Sequence, residues 1–219
     1  MIEVLGRRNS MNVQKVMWAL GELNVDYQRH DVGGSFGYPD AYPNPNRVVP
    51  TIRHGELTLW ESNTIVRYLA RTYGSGSLWP SDSKQLALAD QWMAWQRSDI
   101  SSAFFDIFLG KIRTPTDKID HEKLIQAATR CGKILALLDR HLATQPFVAG
   151  ADLTMGDIPI GAMMYRYMEL DIERAPLEHL TQWYERLTDR EAYRKHVMIP
   201  FGKNLAEWEM LETASTGVQ

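Results

Sequence analysis

Val48-Val49-Pro50-Thr51, followed after a short interval by Leu57-Thr58-Leu59-Trp60-Glu61-Ser62-Asn63, is the stretch that decides how this chain folds. Pro50 heads an apolar run, and proline, which has no backbone donor, is tolerated there only at a sheet edge or in a cis turn. A cis bond between Val49 and Pro50 turns the N–H and C=O of Val49 outward, free to pair with an extended peptide. The second run ends in an acid and a hydroxyl. A helix opening near Ser62 offers unpaired N–H groups and a partial positive charge to a carboxylate. Together these features read as a dock for a small peptide with a free α-amino-acid end.

Working outward toward the N-terminus, Ile2 and Val4 alternate with polar neighbours as a short strand does. Val13, Val16, Leu20 and Leu23 recur at helical spacing, which predicts a helix from about Asn12 to Leu23 capped by Ser10 or Asn12. Asp26 to Val32 reads as a second strand, parallel to the first because a helix joins them. Residues 33–46, rich in glycine, proline and aromatics, are irregular. Thr51-Ile52-Arg53 and Leu57-Thr58-Leu59-Trp60 form a hairpin, and the helix after it turns Ile65, Val66, Leu69 and Tyr73 inward.

The small, polar segment Gly74 to Asp82 is the plausible linker, which divides the chain into an α/β domain at 1–76, a linker at 77–83 and an all-helical domain at 84–219. Leu86, Asp90, Met93, Arg97 and Ile100 mark one face of a long helix there. Leu124, Ala128, Cys131, Leu135, Leu138 and Leu142 mark another, and a third follows Pro176 with Trp183 and Leu187. Thr154 and Asp157 have the spacing of a capping box, so Asp157 is a fold determinant rather than a catalytic acid.

Composition removes several function classes. At 219 residues, with net charge −3 and no basic stripe interleaved with aromatics, the chain lacks the footprint of a nucleic-acid binder. No apolar run is long enough to cross a bilayer and the first residues lack a signal peptide's pattern, so a cytoplasmic protein is expected. A single cysteine, Cys131, on an apolar helix face reads as a buried, inert thiol. Six scattered histidines give no metal-ligand spacing, and no metal is expected. Gly33-Gly34-Ser35-Phe36-Gly37 lacks the Gly-Lys-Ser/Thr ending of a phosphate loop.

Four segments in order resemble the cytosolic glutathione transferases: Asn12-Val13-Gln14-Lys15-Val16, Asn44 to Pro50, Trp60 to Leu69, and Leu153 to Ile158. The resemblance spans essentially the whole chain and is nearest to bacterial members whose first loop carries Ser or Asn, the theta-, nu- and beta-like types. It implies a thioredoxin-like N-terminal domain followed by an all-helical C-terminal domain, a homodimer, glutathione as cosubstrate and an apolar electrophile in the cleft. By the same resemblance Val49, after which Pro50 sets the turn, pairs with the cysteinyl backbone, Glu61 and Ser62 hold the γ-glutamyl end, and Arg47 meets the glycyl carboxylate. The activity implied is conjugation. Disulfide or peroxide reduction on the same fold, and a binding module without turnover, stand as alternatives.

The chemistry needs a donor near the start of the first helix. A free thiol with pKa about 8.5 is roughly 3% thiolate at pH 7. Lowering that pKa by about two units takes roughly 2.7 kcal/mol. One hydrogen bond to the anion supplies about 1.5–3 kcal/mol and the helix dipole roughly 0.3–1 kcal/mol. Family members use tyrosine, serine or cysteine for this donor, but no tyrosine precedes Tyr27 and no cysteine precedes Cys131. Ser10 is the expected thiolate donor and Asn12 the second. Aligned on Lys15 with serine-type members, the hydroxyl position falls instead on Met11, a departure from the family pattern. Phe104, Phe105, Phe108, Tyr165 and Trp208 are candidates for the wall of the electrophile pocket.

Overall fold

The computed structural model describes residues 1–214. The last five positions of the expected helical domain, 215–219, lie outside the described residues. The chain opens with β1 (Ile2–Leu5), α1 (Met11–Glu22) and β2 (Tyr27–His30), then β3 (Thr51–His54), β4 (Leu57–Trp60) and α2 (Ser62–Tyr73). One mixed sheet results, in the order β2-β1-β3-β4. β1 runs parallel to β2, with Ile2 opposite Tyr27, because α1 carries the chain back between them. It runs antiparallel to β3, with Val4 opposite Ile52, and β3 pairs with β4 across a tight hairpin. β2 is shorter than the run Asp26–Val32 suggests, since only four of its residues find ladder partners at this edge.

The fully buried Ile2, Val4 and Ile52 of the sheet share a core with Val13, Val16 and Leu20 of α1 and Ile65, Val66 and Leu69 of α2. α1 departs from the one-faced pattern that its spacing suggests. Gln14, Lys15, Trp18 and Ala19 are buried as well, because helices of the second half cover the side facing away from the sheet. Tyr73 turns outward instead of inward, and its hydroxyl meets His54 Nε2 at 3.3 Å.

The second half contains α3 (Ser83–Trp95), α4 (Ser101–Phe108), α5 (His121–Leu142), α6 (Asp157–Glu169), α7 (Glu178–Thr188), α8 (Glu191–His196) and α9 (Leu205–Ala214). A π-helical turn over Gln96–Ile100 joins α3 to α4. Asp82 caps α3, accepting from Lys84 N at 3.1 Å and Gln85 N at 2.9 Å. Along this region Ala89, Trp92, Met93, Gln96 and Ile100 are buried. The expected face therefore held two wrong members: Asp90 and Arg97 are exposed, and Asp90 pairs with Arg67 of α2.

α6 is the central helix, and its contact with α1 explains a glycine. A Cβ on Gly161 would stand 2.7 Å from the Trp18 ring, so only glycine lets the two helices close. Asp157, at the head of α6, is fully buried. One carboxyl oxygen accepts from Val148 N and Trp183 Nε1, each at 3.0 Å, and the other from Thr154 N at 2.9 Å. The structural role expected for Asp157 is thus observed, although the capping is not reciprocal: Thr154 Oγ1 accepts from Gly156 N rather than from Asp157. Arg190, just before α8, grips Glu22 of α1 through two hydrogen bonds of 2.8 and 2.6 Å, a further tie between the halves.

Candidate active site

A cavity of about 660 Å³ opens where the heads of α1 and α2 meet the α3–α4 region. Asn12, Val49, Glu61 and Ser62 all line it, with Lys15, Arg67 and Arg97. Cavities of similar volume lie elsewhere, one between α4 and α5 and one against β2 and α8. Neither brings together two helix N-termini and an open backbone segment, the features that bind a peptide.

The Val49–Pro50 bond is cis. β3 is an inner strand, flanked by β1 and β4, so of the two placements the sequence allows Pro50 takes the turn and not the edge. Val49 precedes the ladder, and its N–H and C=O make no backbone hydrogen bond among the described residues. It faces the cavity as an unoccupied strand position. Tyr42 and Asn44 hold the preceding turn by donating to Val48 O at 2.9 and 3.0 Å.

Glu61 stands at the N-cap of α2 with φ +71° and ψ 108°, a conformation that L-residues seldom adopt. It caps nothing: its side chain accepts no bond from the helix, and it is exposed to the cavity. An ordinary first-turn acid would not need such backbone. Strain of this kind, typically about 1–3 kcal/mol, collects at binding sites. Ser62 is buried at the first turn of α2, and its hydroxyl donates to Asn12 Oδ1 at 3.3 Å. That contact ties the heads of the two helices together and leaves the NH2 group of Asn12 as its remaining donor.

Ser10 is the N-cap of α1, with extended backbone and no side-chain capping bond, and Gln14 N donates to its carbonyl at 2.9 Å. It is 9% exposed and is not among the residues lining the cavity, whereas Asn12 is. Arg47 also lies outside the lining, with Nη2 donating to Tyr38 O at 3.1 Å and its guanidinium over the Tyr38 ring. Of the five aromatic candidates, Phe105 lines the cavity. Phe104, Phe108 and Trp208 are core, with Phe108 and Trp208 in edge contact at 5.4 Å, and Tyr165 is half-buried against Phe201. Cys131 is buried in α5, where desolvation pushes its thiol up to about 12.

Lys15 is a functional candidate that the sequence reading passed over. It is 3% exposed, yet its ammonium reaches the cavity wall and donates to Asn63 Oδ1 and Gln96 Oε1, each at 3.2 Å. Burial first, then the Arg97 charge, pull its pKa from the ordinary 10.5 to about 7, against a smaller pull upward from Glu61. Asn63 Nδ2 also donates to Met93 O at 3.1 Å, so this polar cluster bridges the α/β and helical halves directly beneath Ser62. A signal was present: Lys15 lies one turn after Asn12, on the same helix face.

Comparison with known proteins identifies the family of both halves. The glutathione S-transferase N-terminal domain model matches residues 5–77, and the glutathione S-transferase C-terminal domain model matches residues 102–191. Glutathione S-transferase GstB of Escherichia coli is 40% identical over 91% of this chain and 99% of its own length. Among solved structures, the theta class glutathione S-transferase of Xanthomonas axonopodis pv. citri with glutathione bound superposes at a TM-score of 0.88. It is 45% identical, with 92% of this chain and 99% of that one covered. The glutathione transferase BmGSTD1 of Bombyx mori, 23% identical, shares the fold at a TM-score of 0.80, with 97% and 96% covered. Both halves of the molecule match in the family's order, and the likeness runs over nearly the full chain, so the protein belongs to the glutathione S-transferase family.

Proposed function

We propose that this chain is a glutathione transferase that joins the glutathione thiolate to an electrophilic, largely apolar small molecule. The observation that carries the reading is the cavity in which an unpaired strand position at Val49 meets the strained Glu61 and the head of α2 at Ser62. Glutathione brings one ammonium and two carboxylates. Two arginines against one acid in the lining, Arg67 and Arg97 against Glu61, with Lys15 part-protonated near pH 7, complement that net negative charge.

In this reading residues 1–76 bind glutathione, 84–219 complete the electrophile pocket and 77–83 connect them. The cysteinyl unit pairs with Val49, Glu61 takes the ammonium, and Ser62 with the first N–H groups of α2 takes the γ-glutamyl carboxylate. Arg47 turns from Tyr38 to meet the glycyl carboxylate. Ser10, whose hydroxyl is not spent on capping, and the NH2 group of Asn12 donate to the thiolate. The thiol proton leaves to solvent. The sulfur lone pair then forms a C–S bond to the electrophilic carbon as the leaving group departs with its electron pair. No step calls for a metal. A cytoplasmic homodimer completes the reading and rests on the family alone.

The test is retention on immobilised glutathione followed by turnover of a chromogenic aryl halide and, in parallel, of a glutathione mixed disulfide. Conjugation of the halide is expected. Turnover of the disulfide alone replaces the reading with a reductase, and binding without either turnover replaces it with a non-catalytic module.

A further inference from the structure

Behind the loop that carries Ser10, Arg7, Arg113 and Arg166 lie close enough to act on one another, and Arg7 pairs with a buried carboxylate. Arg166 of α6 is 3% exposed. Its Nη2 donates to Asn9 O and, at 3.5 Å, to Gln14 Oε1, while its Nε has no hydrogen-bond partner. Its guanidinium carbon lies 4.9 Å from the Phe108 ring centre and 5.4 Å from that of Trp208. Arg113 sits over Trp208 at 4.7 Å. Among the described residues neither Arg113 nor Arg166 has an ion-pair partner. Arg7 has one: its Nε is 2.7 Å from Glu212 Oε1.

Glu212 is 4% exposed although it stands near the end of a surface helix. Its other oxygen accepts from Ser35 N at 2.9 Å and from the Ser35 hydroxyl. Burial raises its pKa, but the Ser35 bonds and the Arg7 charge outweigh that and hold the carboxyl below its ordinary value. Asn9, 2% exposed, lies near enough to add to this effect, yet neither end of its amide makes a well-formed hydrogen bond. A backbone N–H, a hydroxyl and an arginine converging on one carboxylate, with two further cations close by, is the donor set of an anion site.

What fills the site is a short helix with little else to hold it. Over its ten residues α9 buries Trp208 and Glu212 alone, one turn apart on the same face. It therefore sets an aromatic ring against Arg166, which itself touches the residue before Ser10, and a carboxylate beside it against Arg7. We propose that this ring-and-carboxylate position is the acceptor site: the second substrate is a flat apolar molecule bearing a carboxylate, and Trp208 with Glu212 occupies its place until it binds. The proposal rests on the conjugation reading and narrows its substrate class. Arg7 and Ser35 take the acceptor's carboxylate, Phe108 and Arg166 flank its ring, and α9 is displaced.

The experiment compares two unreactive ligands, dinitrobenzoate and dinitrobenzene, by calorimetry on the wild-type protein, Glu212→Gln and Arg7→Gln. Making or breaking one charge-assisted hydrogen bond changes affinity by about tenfold or more. The benzoate-to-benzene affinity ratio is expected to rise by about that factor in Glu212→Gln, where the internal competitor is neutral, and to fall by about that factor in Arg7→Gln. Glu212→Ala is a second variant should the glutamine keep α9 docked. A ratio that stays within about twofold across all variants overturns the proposal. Turnover of a neutral chlorodinitrobenzene with glutathione decides the conjugation reading separately, because ligand binding is measured without it.

Discussion

Replacing Lys15 by Met should make stability depend on pH in a way that isolates this one group. The lysine's pKa falls from 10.5 in the unfolded chain to about 7 in the folded protein, chiefly because the ammonium is buried. Between those values the unfolded chain binds the proton and the native protein does not, so wild-type stability rises with pH across that window. The burden is fully present below about pH 7 and is gone above about pH 10.5; integrated from about pH 6.5 to pH 10 it amounts to about 4 kcal/mol. Methionine carries no such burden. It does forfeit the hydrogen bonds to Asn63 and Gln96, a loss of about 1–3 kcal/mol that changes little with pH. Lys15→Met is therefore expected to be the more stable protein at about pH 6.5 and the less stable at about pH 10. Urea unfolding followed by tryptophan fluorescence at both values reads the difference. Wild-type and variant stabilities that run parallel with pH would show that the ammonium is not desolvated, and the cluster beneath Ser62 would need another account.

Further outcomes follow from other residues. Glu61→Gly should raise stability by about 1 kcal/mol by relieving the positive φ while weakening glutathione binding by about tenfold or more, read by denaturation and calorimetry on the same sample. Ser10→Ala with Asn12→Ala should move the acid limb of the pH–rate profile toward the free thiol's value by up to about two units, and an unmoved limb removes both from thiolate stabilisation. Asp157→Ala leaves Val148 N, Thr154 N and Trp183 Nε1 without their acceptor and should cost about 3–5 kcal/mol in unfolding free energy; a loss below about 1 kcal/mol would contradict the role given to it. Cys131 should resist a thiol reagent at about pH 8 in the folded protein and react at once in denaturant, given a thiol pushed up to about 12.

The sheet, the cis turn at Pro50 and the helix opening at Ser62 were legible because each depends on local chemistry. Proline at the head of a strand, a glycine-bearing hairpin turn, and an acid–hydroxyl pair at a helix start all act within a few residues of themselves. The helical periods of α5 and α7 were equally plain, since each buries a single stripe. What the sequence concealed was decided by neighbours distant in the chain. α1 is buried all round because α6 and α8 cover its second side, so Gln14 and Lys15 became interior groups that a one-sided pattern excludes. Arg166 reads as a routine polar position on a helix and is buried only because Phe108, Phe201 and Trp208 close over it from three separate elements. Arg97 was misplaced for a related reason: the π-helical turn after Trp95 shifts the helical phase, which a constant spacing does not follow. Asp90 lies before that turn, on the exposed side of α3, where it pairs with Arg67 of α2.

The most direct measurement is a crystal structure of the protein soaked with glutathione. The tripeptide is expected to lie antiparallel to the segment at Val49, bonded to both of its backbone groups, with the γ-glutamyl carboxylate on Ser62 and the sulfur within hydrogen-bond reach of Ser10 or Asn12. Density for glutathione in another cavity, or an empty site at millimolar ligand, would contradict the assignment of this cavity and of each residue role built on it.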